Sequence, residues 1–231
     1  MSLGQFVSAT GERRQRMISI EDAIRYRRFS KNYFDQNASS EDERVLRGLV
    51  GQRLVAFNPY RHSKYRFESW SCLKLADETV NIIVSDTIVA VGGGETDDGG
   101  TMLVRVDEDA EHQFTVGLEI ADATIEDVAI VTDHAVTTSH GEVAWSTDRF
   151  QAVVLDFGGR YLVFDKGPWF GTDIHCIACD DYMTELMDDR ADWETDVEET
   201  PDGAYGLDCE VRWLAHPANT TTIRVVREGD L

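Results

Sequence analysis

The sequence predicts an α+β protein made mainly of antiparallel strands, arranged as a meander, sandwich or barrel, with two N-terminal helices. Three observations carry this. From about Arg53 onward, short β-branched and aromatic runs recur at close spacing with turn residues between them. Near the same point the hydrophobic period changes from helical to two. Finally, Phe150–Asp156 and Arg160–Asp165 flank Phe157-Gly158-Gly159, a hairpin pattern in which glycine supplies the positive φ angles of a tight turn. Apolar residues fill both alternation sets of its first arm, which predicts a central hairpin covered on both faces.

In chain order, Ser19-Ile20-Glu21-Asp22 places a hydroxyl three residues before a carboxylate and predicts a helix from about Ile20 to Phe34. Ser40-Glu41-Asp42-Glu43 repeats the pattern, with Val45, Leu46, Leu49 and Val50 on one face and Gly51 as a stop. Val80, Ile82 and Val84 alternate with Thr79, Asn81 and Ile83, and Met102, Val104 and Val106 alternate with Leu103, Arg105 and Asp107. Phe114, Val116, Leu118 and Ile120 predict a strand with one wet face. Val128–Val131, Ala135–Ser139 and Glu142–Ser146 read as separate short strands, broken at Asp133-His134 and His140-Gly141. After the hairpin come an aromatic turn at Gly167–Gly171, a strand over Asp173–Cys179 and a short helix over Asp181–Met187. Leu207, Cys209, Val211 and Trp213 line one face of a late strand, and Ile223 and Val225 mark the last. The expected organisation is a basic arm with helices (1–52), an antiparallel body (53–179), an acidic segment (180–203) and strands that complete the body (204–231).

Charge is the strongest compositional fact. The formal net charge is −21, yet residues 1–66 hold thirteen Lys and Arg against seven acids, a local +6 that leaves −27 for the remainder. An acidic body repels nucleic-acid backbone and anionic lipid, so direct nucleic-acid binding and a membrane partner are not expected. Solubility, including adaptation to a salty cytoplasm, is one account of the acidity, since only four of the 22 cations are Lys. The other is that basic arm and acidic body meet, within one chain or between copies. The N-terminus lacks a charged leader with a long apolar stretch, and no later run is apolar enough to cross a bilayer. The expected location is therefore the cytoplasm or a virus particle.

Candidate chemistry is sparse. His175, Cys176, Cys179 and Cys209 are four soft donors of the kind that hold tetrahedral zinc. In a strand, however, Cys176 and Cys179 point to opposite faces, so buried reduced thiols are the better account. Gly92–Gly100 carries Glu95, Asp97 and Asp98, which offer oxygens to calcium without EF-hand spacing, and reads as a flexible hairpin loop. Asp133, His134, Ser139, His140 and Glu142 lie close in sequence but form no known catalytic spacing. No catalytic residue and no small-molecule substrate is therefore assigned.

Two stretches suit interaction. Arg13, Arg14, Arg16, Arg25, Arg27 and Arg28 form the first; there Arg25, Arg27, Arg28 and Lys31 interleave with Tyr26, Phe29 and Tyr33, a mixture suited to stacking on bases or lying over phosphates but better read as aromatics that pack down beneath solvated cations. In the second, Asp192, Trp193 and Glu194 centre an acidic run in which one ring serves as anchor and the charges steer encounter. The expected function is a non-catalytic structural or protein-interaction role, with copies of itself as the partner, in a homomeric assembly such as a virus particle. The alternatives are an acidic inhibitor that mimics nucleic acid, or a zinc-binding enzyme using the His175 group.

Overall fold

The computed structural model describes residues 18–62, 68–91, 95–107, 123–166, 173–191 and 203–228. It is built mostly of antiparallel β-sheet with a few helices. The strand expected over Phe114–Ile120 lies outside the described residues.

Ser19 caps α1 (Ile20–Tyr26) by accepting the Asp22 N–H at 3.2 Å. The helix stops well short of Phe34: Arg27–Phe29 form a 3₁₀ turn and Tyr33–Gln36 form strand β1. The reason is geometric. Arg27, Arg28 and Tyr33 all reach the Asp148 carboxylate, whereas on a continuous helix, at about 100° per residue, they would point in three directions. Helix α2 (Ser40–Leu49) is capped by Ser39, one residue before the expected cap, with Asp42 closing the capping box. Asp42 also accepts the Val104 N–H and an Arg105 N–H, each at 2.7 Å, so a tertiary partner chooses Asp42 over Glu43.

Four strands, β2 (Leu54–His62), β3 (Glu68–Leu75), β4 (Thr79–Val91) and β5 (Glu95–Asp107), form an antiparallel meander. Gly99 and Gly100 pair with Thr87 and Asp86 in β4, so the expected loop is replaced there by ladder. The larger sheet contains β6 (Asp127–Ser139), β7 (Glu142–Asp156), β8 (Tyr161–Lys166), β9 (Ile174–Cys179), β10 (Ala204–Trp213) and β11 (Thr221–Glu228). Its order is β11-β10-β6-β7-β8-β9, and β1 adds in parallel along Ser146–Arg149 of β7.

Two expected breaks are absent. Asp133-His134 lies inside β6, and the stretch from Glu142 to Ser146 runs into the hairpin arm as one strand. Asp and His suggest turns, but here each is paired across the ladder with an opposite or hydrogen-bonding group, Asp133 with Arg149 and His134 with Asp148. The turn at His140-Gly141 does form, with φ of 51° and 75°, both positive as a two-residue hairpin loop requires.

The sheets face one another across a core of Leu54, Phe57, Leu73 and Val80 from one side and Ile130, Phe150, Val153 and Phe164 from the other, closed at one edge by Val45, Leu46 and Leu49 of α2. Across the β6–β7 ladder Val131 opposes Ala152 while Thr132 opposes Phe150, leaving Gln151 of β7 as a bulge. The bulge reverses the alternation and brings Phe150 and Val153 to the same inner face. The outer face is covered by α3 (Tyr182–Ala191), whose Leu186 packs over Val131, Val154 and Val163. Helix α1 seats on Gly206 of β10, where a Cβ would stand 2.7 Å from Ile20 Cγ1.

Candidate functional site

The register of β6 with β7 sets two polar pairs side by side, Asp133 opposite Arg149 and His134 opposite Asp148. Because successive side chains alternate, the two pairs lie on opposite faces of the sheet. Each face then fastens a different helical segment.

On the inner face, Asp148 is fully buried and collects donors from the N-terminal segment. Arg27 Nε donates to Oδ1, Arg28 Nε donates to Oδ2 at 2.6 Å, and the Tyr33 hydroxyl donates to Oδ2 at 2.8 Å. His134 Nδ1 lies 2.8 Å from both Asp148 Oδ1 and Arg27 Nη2. A ring nitrogen serves one of these at a time, as donor to the carboxylate or as acceptor from the guanidinium. Burial alone would raise the Asp148 carboxyl, but hydrogen bonds from His134 and Arg27 outweigh it and hold the group below the ordinary carboxylate range. Burial and then Asp148 push the Tyr33 phenol up. Arg27 Nη1 also donates to the Ile24 carbonyl at 3.0 Å, closing the end of α1.

This clamp borders a cleft of about 530 Å³ between the N-terminal segment and α2, lined by Arg25, Arg27, Arg28, His134, Glu43, Glu210 and Arg212. Arg212 donates to Glu43 at 2.6 Å across it. The cleft is thus a mixed-charge, mainly cationic surface on an acidic protein. Arg25, Arg27 and Arg28 of the expected interaction set are brought together here. Arg13, Arg14 and Arg16 lie outside the described residues, as do Asp192, Trp193 and Glu194.

On the outer face, Arg190 of α3 is completely buried. Its Nε lies 3.1 and 3.2 Å from the two Asp133 oxygens, and its Nη1 donates to Asp165 at 3.0 Å and to the Leu186 carbonyl at 2.6 Å. Gln151 Nε2 donates to Asp165 at 3.0 Å and also to the Lys166 carbonyl. Burial raises the Asp165 carboxyl in spite of Arg190, and it lowers Arg149 and Lys166. This network holds α3 to the sheet.

The expected metal donors are dispersed. His175 and Cys179 share the outer face of β9, Cys176 faces the inter-sheet core, and Cys209 lies on β10, separated from β9 by β6, β7 and β8. Burial pushes the Cys176 thiol up to about 12, and burial raises Cys179 and Cys209 as well. Such thiols stay protonated at neutral pH. Among the described residues no group of three or more His, Cys, Asp or Glu is placed to hold a metal ion. Glu95, Asp97 and Asp98 follow one another along β5, with no more than their backbone described.

The acid–base set is divided too. Asp133 and His134 point to opposite faces, while Ser139, His140 and Glu142 lie at the far hairpin turn. The residues that sequence reasoning missed are Asp148 and Arg212, and it saw Tyr33 only as one of the aromatics among the basic residues. Their signal was Asp148-Arg149 set directly before the apolar run Phe150–Leu155, where a buried charge requires a partner from elsewhere in the chain.

Among the described residues no helix is long and apolar enough to cross a membrane. Compared with family models, curated proteins and solved structures, the chain matches none.

Proposed function

We propose that this chain is a non-catalytic structural or interaction protein whose partner is protein, foremost other copies of itself, in a homomeric assembly such as a virus particle. The observation that carries the reading is the way the N-terminal segment is held. Arg27, Arg28 and Tyr33 lock it onto Asp148, and the same turn leaves Phe29 85% and Tyr26 52% exposed. Their ring centroids are 6.4 Å apart, and Arg25 and Arg28, their neighbours in sequence, line the adjoining cleft.

Aromatic residues and Arg are what protein interfaces concentrate at their centres. A knuckle already fixed in place also loses less conformational freedom on docking than a loose arm would. The residues after 66 carry a net −27, so the surface of a neighbouring copy supplies complementary charge. A contact of knuckle to body closes a two-fold dimer where it is made reciprocally, and otherwise builds rings or open filaments. The division of the acid–base set between two faces and a distant turn favours contact over catalysis as the role.

Light scattering on the full chain tests this. Species larger than a monomer are expected, dissociating in a Tyr26→Ser/Phe29→Ser/Arg25→Glu variant whose circular dichroism is unchanged. Wild-type protein that stays monomeric at every concentration, or a variant that assembles as the wild type does, contradicts the reading.

A further inference from the structure

At the end of the large sheet where β6 begins and β7 finishes, three rings from three elements meet. Tyr161 opens β8, Tyr182 opens α3 and Trp213 closes β10. Tyr161 and Tyr182 have centroids 4.8 Å apart at 65°, Tyr182 and Trp213 5.5 Å apart at 86°, and Tyr161 and Trp213 6.3 Å apart at 49°. They border a cavity of about 320 Å³ that is also lined by Glu126, Asp127, Asp156 and His216. Among the described residues, no Lys or Arg lines it.

The three carboxylates differ in how far they are already engaged. Asp127 Oδ1 accepts the Val128 and Ala215 N–H groups at 2.7 and 2.9 Å, and its Oδ2 lies 2.8 Å from His216 Nδ1. Asp156 Oδ1 accepts the Gly159 N–H at 2.9 Å. Among the described residues, Asp156 Oδ2 and the Glu126 carboxylate take no hydrogen bond; both residues line the cavity, Asp156 acting on Tyr161 and Tyr182 and the Glu126 carboxylate lying over the Gly158 turn.

We propose that this cavity binds an organic cation, a methylated ammonium or a guanidinium group, carried either by a small molecule or by a side chain of a partner protein. Ring faces and open carboxylates both attract a cation, and quaternary ammonium ions are the ligands that clustered aromatic rings recognise. An anion meets repulsion from the same carboxylates. The volume falls at the small end of ligand pockets and suits a headgroup rather than a large molecule. A sugar is the weaker fit. It needs a broad exposed ring face, whereas Trp213 is only 8% exposed and the rings meet at steep angles.

The positive end of α3 would oppose a cation, but Asp181 occupies it, accepting the Met183 and Thr184 N–H groups at 3.1 and 3.3 Å. Burial, and then Asp156, pushes the Tyr161 phenol up, and burial raises Tyr182, so both rings stay neutral at physiological pH.

The experiment is a calorimetric titration of the full chain with tetramethylammonium chloride against sodium chloride at equal ionic strength. The Trp213 indole N–H is followed by NMR and assigned through Trp213→Phe. Saturable binding that moves the Trp213 signal is expected, about tenfold weaker in Tyr182→Leu and in Asp156→Asn/Glu126→Gln. The double variant keeps side-chain shape and an oxygen for the Gly159 N–H, so it tests charge even if Tyr182→Leu folds poorly. A trimethyl-lysine peptide that binds more tightly than tetramethylammonium assigns the cation to a partner's side chain, and equal affinity assigns it to a small molecule. Absence of saturable binding by the wild type, variants that bind as it does, or binding of a neutral methyl glucoside in place of the cation overturns the proposal.

Discussion

Asp133 and Asp148 sit on neighbouring strands one register step from sharing a rung, yet they hold their cations in opposite settings. Asp148 gathers Arg27, Arg28, Tyr33 and His134 at the edge of a cleft, and the side chain of Arg28 remains largely exposed. Asp133 shares Arg190 with Asp165 in a space closed by α3, where all three side chains are buried. In the open cluster hydrogen bonds outweigh desolvation and the Asp148 carboxyl is depressed, while in the sealed cluster desolvation wins and the Asp165 carboxyl is raised. The difference teaches that one sheet is used as an anchor on both sides. The sealed side fixes a helix, and the open side fixes a segment that still presents charge and aromatic surface to the outside.

The largest effect should come from breaking the sealed anchor. Arg190→Met leaves Asp133 and Asp165 buried without their shared cation and should cost about 3–5 kcal/mol in urea unfolding. A loss below ~1 kcal/mol would show that the two carboxylates have other support. Breaking the open anchor should cost less. Asp148→Asn weakens the bonds to Arg27, Arg28 and Tyr33 and should lower stability by ~2 kcal/mol, with little from Arg28 because water screens it. The same variant should expose Arg27 and Arg28 to trypsin, whereas Arg190→Met should leave cleavage there slow in the fraction that remains folded. Smaller again is the wall of the cleft, where Ser39→Ala removes the α2 cap and should cost about 1 kcal/mol, read by the same unfolding assay.

The smallest expected effect is on pH dependence, because the two carboxyls act in opposite senses. Asp148 in the folded protein titrates below its unfolded value, so its contribution is complete above the ordinary carboxylate range and is lost as pH falls toward the folded value. Asp165 titrates above its unfolded value. The folded state keeps that proton longer, so stability falls as pH rises from the ordinary range through the folded value. Asp148→Asn should therefore flatten the acid limb of a stability–pH curve, and Asp165→Asn should flatten the decline above it. Identical curves for both variants would contradict the contrast.

Much of the sheet was legible because alternation survives in strands with one buried face, as in Leu207–Trp213 and Val80–Val84. What was not legible follows from long-range pairing. Asp133-His134 resembles a turn until Arg149 and Asp148 are known to lie opposite. The end of α1 at Tyr26 depends on a carboxylate 120 residues away from Arg28, which no local propensity encodes. The basic segment was visible as charge, but its convergence on Asp148 was not. The aromatic cavity was hidden for the same reason, since Tyr161, Tyr182 and Trp213 come from three separate elements.

The interaction role is tested most directly by the native mass of the full chain, measured from low to high salt. The account predicts a discrete multiple of the monomer at low salt that falls to the monomer as salt screens the contact between cationic knuckle and acidic body. A monomer at every salt concentration, or a multimer indifferent both to salt and to the loss of Tyr26, Phe29 and Arg25, would contradict it.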